Sequence, residues 1–161
     1  IKVPSAKATD LELLHYLAEK KNSPVIISTG GCTMGDVRQG VDILGTPIIM
    51  HCCMAYPAKL EELNLSVITA LCHEFPSLEI GYSGHEVGLA TTVAAVALGA
   101  TWVERHITLD RSLPGTDQAA SVEPGGFSRL VKDIRNVERA MGDGVKRVMT
   151  SEKEAIARLR G

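Results

Sequence analysis

The sequence predicts an α/β fold built from parallel strand–helix units, and three observations point there. Five short apolar or β-branched runs begin near residues 1, 25, 47, 78 and 101. A helical stretch follows each run, and polar residues gather where each run ends. Strands that read as continuous apolar runs are buried on both faces of a parallel sheet, and the intervening helices are its right-handed crossovers.

The elements follow in order. A short strand opens at Ile1–Val3, and Thr9 or Asp10 caps a helix over Leu11–Lys21 with Leu13, Leu14 and Leu17 on one face. Pro24–Ser28 is a buried strand running into the glycine-rich turn Thr29-Gly30-Gly31. Thr33 and Asp36 open a second helix with Val37, Val41 and Leu44 inward, and Gly45 stops it. Pro47–Cys53 is a third strand. Asn64 caps a helix through Phe75, closed by Pro76. Leu78–Ser83 is the fourth strand, Glu86–Leu98 a small-residue helix, and Trp102–Ile107 the fifth strand. A long amphipathic helix spans Gly125–Met141, and Ser151 with Glu154 forms a capping-box signature for a short last helix.

Two architectures accommodate this pattern, an open doubly wound sheet and part of a (β/α)8 barrel. No GxGxxG follows the first strand, which argues against a dinucleotide fold. Ser5, Ser28, His51, Ser83 with His85, and Glu104 with His106 mark the exits of all five strands, which favours a barrel mouth. The 161 residues are enough for one domain with a real core. A net charge of −2 gives no field for nucleic acid or anionic membrane, and no apolar run reaches the roughly 20 residues of a membrane helix. Cys32, Cys52, Cys53 and Cys72 lack a disulfide or zinc spacing and read as reduced thiols in a cytoplasmic protein.

Chemistry concentrates in a few segments. Gly81–His85 reads either as a tight turn with a surface histidine or as a strand exit whose glycines let a ligand approach the backbone. In Val103–Asp110, alternation puts Glu104 and His106 on one face and Arg105 on the other. A buried carboxylate and imidazole there imply a metal, a ligand or mutual pairing; a Glu104–Arg105 ion pair at a sheet edge is the alternative. Arg105 itself is expected to reach a neighbouring helix or loop. His85 and His106 end consecutive strands about 4.8 Å apart, so both imidazoles can reach one open, catalytic divalent cation. Asp117, in the loop 113–121, either binds sugar hydroxyls or caps a turn. Lys2 with Ser5, and the hydroxyls and N–H groups of Ser28–Gly31, suit an anion. His51 reads as a satisfied core histidine, and His15 and His73 carry no role.

Together Gly81–His85, Val103–Asp110, Gly115–Pro124 and Ser28–Gly30 resemble the N-acetylneuraminate (sialic acid) synthase family along essentially the whole chain. The resemblance implies the last five units of a TIM-type (β/α)8 barrel over residues 1–145, with 146–161 a C-terminal helix and the start of a linker. It implies Mn2+ (or Mg2+ or Co2+) on His85 and His106, phosphoenolpyruvate at Lys2, Ser5, Ser28 and Ser83, and an amino-sugar aldose at Tyr56, Glu104 and Asp117. The implied reaction condenses phosphoenolpyruvate with N-acetylmannosamine or a related aldose, with C–O cleavage releasing phosphate. Glu104 handles a proton, and His85 and His106 join it as catalytic residues. A phosphoenolpyruvate–aldose-phosphate synthase and a non-catalytic oligomerisation module are the alternatives. Met54, two before Tyr56, departs from the polar residue that family members often carry. The family's first three strands and its antifreeze-like domain are not in these residues, so the chain alone is expected to be weak or inactive and to form homo-oligomers.

Overall fold

The computed structural model describes residues 1–20 and 23–160. Five strands form one fully parallel sheet in sequential order: β1 (Lys2–Val3), β2 (Ile26–Ser28), β3 (Ile48–Cys52), β4 (Ile80–Gly84) and β5 (Trp102–Arg105). Helices α1 (Leu11–Glu19), α2 (Met34–Leu44), α3 (Ser66–Glu74) and α4 (Ala90–Ala97) are the crossovers. The long α5 (Pro124–Met141) packs beside α4, and α6 (Lys153–Arg160) ends the chain.

Sequential strand order has no switch point, which excludes the doubly wound alternative and leaves a half-barrel. Strand alternation divides the side chains. Val3, Ile27, Ile49, Ile80 and Tyr82 join Leu14, Val37, Leu44, Ile68, Leu71 and Ala95 in one buried cluster between sheet and helices. The alternate positions Lys2, Ser28, Cys52, Ser83 and Glu104 therefore face the inside of the curve.

Local chemistry explains most boundaries. The Asp10 carboxylate accepts the Leu13 N–H at 3.1 Å and starts α1. That helix ends at Glu19, with Lys20 as its cap; the expected extension to Lys21 lies outside the described residues. Thr33 and Asp36 form the expected capping box of α2, and Gly45 stops that helix at φ 79°.

Several expectations need correction. Asn64 does not cap α3: the N-cap is Leu65, and Asn64 adopts φ 45° in the turn before it. Glu86 lies outside α4, in a segment bridged to Ala58, because its carboxylate is buried in a polar network behind the sheet. The fifth strand ends at Arg105, and Ile107 makes only an isolated bridge to Val122. Ser151 sits inside a 3-10 turn; Glu152 instead accepts the Met149 N–H at 2.6 Å ahead of α6.

Candidate functional site

The inner edge of the arc is built by register. Cys52 pairs with Ser83, and Ser83 with Glu104, so three inward side chains stand in one row at the strands' C-terminal ends. The Ser83 hydroxyl donates to Glu104 Oε1 at 2.9 Å, and Lys2 Nζ donates to the same oxygen at 2.7 Å. Burial alone would raise the Glu104 pKa, but the Lys2 and Ser83 donors outweigh it and hold the carboxyl below its usual range. The alternative Glu104–Arg105 pair does not form, because alternation sends Arg105 to the helix side, where it meets Glu86.

The two histidines come together beside this row. His85 is buried, and its Nδ1 lies 2.7 Å from the Cys53 carbonyl. A carbonyl only accepts, so neutral His85 carries its proton on Nδ1 and leaves the Nε2 lone pair free. Ser83 Oγ lies 3.5 Å from that Nε2. Burial lowers the His85 pKa, which favours the neutral, ligating form. The His85 and His106 rings are 5.3 Å apart at 80°. The Tyr56 ring packs tilted on His85 at 4.3 Å and edge-on to His106 at 5.6 Å, and Asp117 Oδ2 approaches His106 Nδ1 at 3.5 Å.

The anion-friendly turn is partly committed internally. Ser5 Oγ accepts the Gly30 N–H at 3.0 Å and lies 3.1 Å from Cys52 Sγ. The Thr29 N–H and hydroxyl both go to the Met50 carbonyl. Ser28 Oγ is buried without a partner, an orphan that a ligand oxygen would satisfy. A Cβ on Gly30 would sit 2.8 Å from Ser5 Oγ and 3.0 Å from Met54 Cβ, so this turn packs tightly under Met54.

Of the two readings of Gly81–His85, the surface histidine does not hold, because His85 is buried. Gly81 makes room for Met50 and Trp102, and Gly84 for Glu86, Tyr82 and Arg105. His51 is the satisfied core residue expected: its Nε2 donates to Leu63 O at 2.8 Å on the outer face. Sequence reasoning did not single out the Cys53 carbonyl or Glu86. A carboxylate directly after a strand-exit histidine and ahead of the Thr91-Thr92 pair was the available signal for Glu86.

Two imidazoles with free positions around them suit a divalent cation completed by water and substrate oxygens, not a closed zinc centre. Among the described residues no group of three or more His, Cys, Asp or Glu is placed to hold a metal ion.

The NeuB family matches residues 1–146. This chain belongs to the NeuB family. N-acetylneuraminate-9-phosphate synthase of Homo sapiens is 43% identical to this NeuB chain over 156 residues, covering 94% of the chain and 43% of that enzyme. N,N'-diacetyllegionaminic acid synthase of Campylobacter jejuni is 38% identical over 162 residues, covering 96% and 48%. The crystal structure of the sialic acid synthetase of Leptospira borgpetersenii, in complex with citrate, superposes with a TM-score of 0.87 at 32% identity over 99% of this chain and 57% of that one. The NeuB chain thus spans about half the length of the relatives it matches. No helix among the described residues is long and apolar enough to cross a membrane.

Proposed function

We propose that this chain carries the last five units of a (β/α)8 nonulosonic acid synthase barrel over residues 1–145, with 146–161 leading into a linker. The reaction joins phosphoenolpyruvate to open-chain N-acetylmannosamine or a related amino-sugar aldose, yielding a sialic (nonulosonic) acid and phosphate. The observation that carries this reading is the single row Lys2–Glu104–Ser83 standing beside the His85–His106 pair.

Each residue has a task in that reaction. Lys2 and the hydroxyls of Ser83, Ser28 and Ser5 take the phosphate and carboxylate oxygens of phosphoenolpyruvate. Tyr56 and Asp117 take the sugar, placing its aldehyde carbon against the methylene carbon of phosphoenolpyruvate so that the new C–C bond forms within one bound complex. His85 Nε2 and His106 hold Mn2+, or Mg2+ or Co2+, which when bound polarises the aldehyde oxygen. Glu104, held ionised, takes a proton from the water that adds to the oxocarbenium-like carbon bearing the phosphate oxygen, and phosphate then leaves from that same carbon by C–O cleavage.

Among the described residues β1 and β5 each have one strand neighbour, and Trp102 and Val103 on β5 are 39% and 37% exposed. Self-association covers such edges, so homo-oligomers are expected. Its four free thiols suit the cytoplasm.

Calorimetric titration of Mn2+ tests the metal, and ligand-observed NMR tests phosphoenolpyruvate. The wild-type chain is expected to bind both. His85→Ala and His106→Ala should each abolish tight Mn2+ binding while far-UV circular dichroism stays native. Unchanged affinity in either variant removes that residue from the site.

A further inference from the structure

Behind the sheet, facing away from the site, lies an ion pair whose residues are direct chain neighbours of the two histidines. Glu86 follows His85, and Arg105 precedes His106. Their side chains are 0% and 1% exposed, with Arg105 Nη1 3.2 Å from Glu86 Oε1. Because Arg105 ends β5 and Glu86 is bridged to Ala58 just beyond β4, fixing this pair behind the sheet fixes the backbone from which the imidazole pair projects. We propose that Arg105 and Glu86 are positioning residues that set the His85–His106 geometry and hold the Asp117 turn against it.

The hydrogen bonds show how. Arg105 Nη2 donates at once to the Glu86 carbonyl at 2.7 Å and the Ala120 carbonyl at 3.2 Å. One nitrogen therefore joins the segment that carries His85 to the turn that carries Asp117. Nη1 adds Gly88 O and Thr92 Oγ1, each at 2.8 Å, anchoring the same segment to α4. Asp117 is tied into its turn through its carbonyl, which accepts the Ala120 N–H at 3.2 Å and the Ser121 hydroxyl at 2.8 Å. On the other side, the His85 carbonyl accepts the Ala58 N–H at 3.0 Å.

The Glu86 carboxylate is saturated, whereas Arg105 Nε is buried without a partner. Oε1 also accepts from Thr91 at 2.6 Å and Thr92 at 3.1 Å, and Oε2 from the Tyr82 hydroxyl at 2.9 Å. A buried ion pair with apolar walls is often no more stable than a hydrophobic substitute, so its stability alone does not account for it. A planar guanidinium that reaches carbonyls on two separate loops supplies a geometry that a lysine ammonium cannot.

This inference rests on the metal reading for its consequence, but not for its direct test. The test is the imidazole 1H–15N spectrum of the full chain, in which the His85 Nδ1–H bonded to Cys53 O is a slowly exchanging signal. In Arg105→Lys that signal should broaden or vanish while circular dichroism stays native, and Mn2+ affinity should fall about 10- to 100-fold, as when other partners behind metal ligands are lost. Thr92→Val, which removes one acceptor of the guanidinium and one donor to Glu86, should move both readouts the same way by less. It serves as the test should Arg105→Lys fail to fold. A folded variant with an unchanged His85 Nδ1–H signal overturns the proposal. If the wild-type chain binds no Mn2+, the metal reading fails, while the imidazole signal still decides the positioning role.

Discussion

Lys2 Nζ and Glu104 Oε1 meet at 2.7 Å although they belong to the first and last strands of a five-stranded sheet. In a flat sheet these strands would stand four spacings apart, about 19 Å. The contact exists only because the sheet curls, so it spans the interior of the curve as a chord. Against the burial that raises its pKa, it also gives the carboxylate a donor that lowers it, ahead of Ser83 on β4. Glu104 is thereby held ionised at the inner edge of the curve.

Replacing Glu104 by Gln should therefore cost activity far more than stability. The two side chains are 38% and 34% exposed, and ion pairs so open to water contribute about 1 kcal/mol or less. Loss of a positioned proton acceptor costs about 100-fold or more in rate. Thermal unfolding and phosphate release, measured on the same variant in this chain or a version completed to a full barrel, check this. A rate that falls no further than the stability change explains would remove Glu104 from proton transfer.

The two substrates should separate by mutation. Lys2→Ala and Ser83→Ala are expected to weaken phosphoenolpyruvate more than sugar, since an ammonium and a hydroxyl suit phosphate and carboxylate oxygens. Asp117→Asn should weaken the sugar more, about 10-fold, as one charged hydrogen bond becomes neutral. Separate titrations of the two substrates report the split, and equal effects on both contradict it.

Most of the architecture was readable because buried parallel strands leave short apolar runs that end in polar residues. Val25–Ile27 runs into Ser28 and Ile48–Met50 into His51, while Glu104 next to Arg105 announced two faces. His85 and His106 were readable for the same reason, being polar residues at adjacent strand exits. What stayed hidden depends on contacts across the fold. Nothing near Lys2 in the chain says that Glu104, 102 positions on, will be its partner. The Cys53 carbonyl that sets the His85 tautomer is a backbone atom and leaves no mark in the sequence. Glu86 looked like the first residue of a helix because its neighbours are small and helix-compatible. Its carboxylate is instead held by the Arg105 guanidinium and the Thr91, Thr92 and Tyr82 hydroxyls.

Gly81 illustrates the same limit and yields a sharp expectation. A Cβ there would overlap Met50 Sδ and lie 2.7 Å from Trp102 Cβ, both inside the curve. Gly81→Ala should thus be destabilising, by about 1–3 kcal/mol, the range for forcing extra volume into a packed interior. The urea midpoint should fall accordingly. A companion Met50→Ala in the same chain should recover part of the loss, because it empties the space that the new methyl needs. No recovery would mean that the strain lies against Trp102 or the backbone instead.

His51 supplies a pH dependence whose sign can be worked out. Burial lowers its pKa below the usual value near 6.5, and bonds to Leu63 and Asn64 carbonyls only partly offset this. Between the folded and unfolded pKa values the unfolded chain binds more protons, so stability rises with pH across that window. The His51 contribution is therefore fully present above about pH 6.5 and is lost as pH falls toward the folded value. His51→Gln keeps a donor where Nε2 meets the Leu63 carbonyl at 2.8 Å, but does not titrate. His85, whose pKa burial also lowers, adds the same sign of dependence to both proteins, so the comparison between them isolates His51. Urea midpoints between pH 5 and pH 8 should fall more steeply on acidification in the wild-type chain than in His51→Gln. Parallel profiles would show that protonated His51 is accommodated in the folded state, against the burial that its place behind β3 imposes.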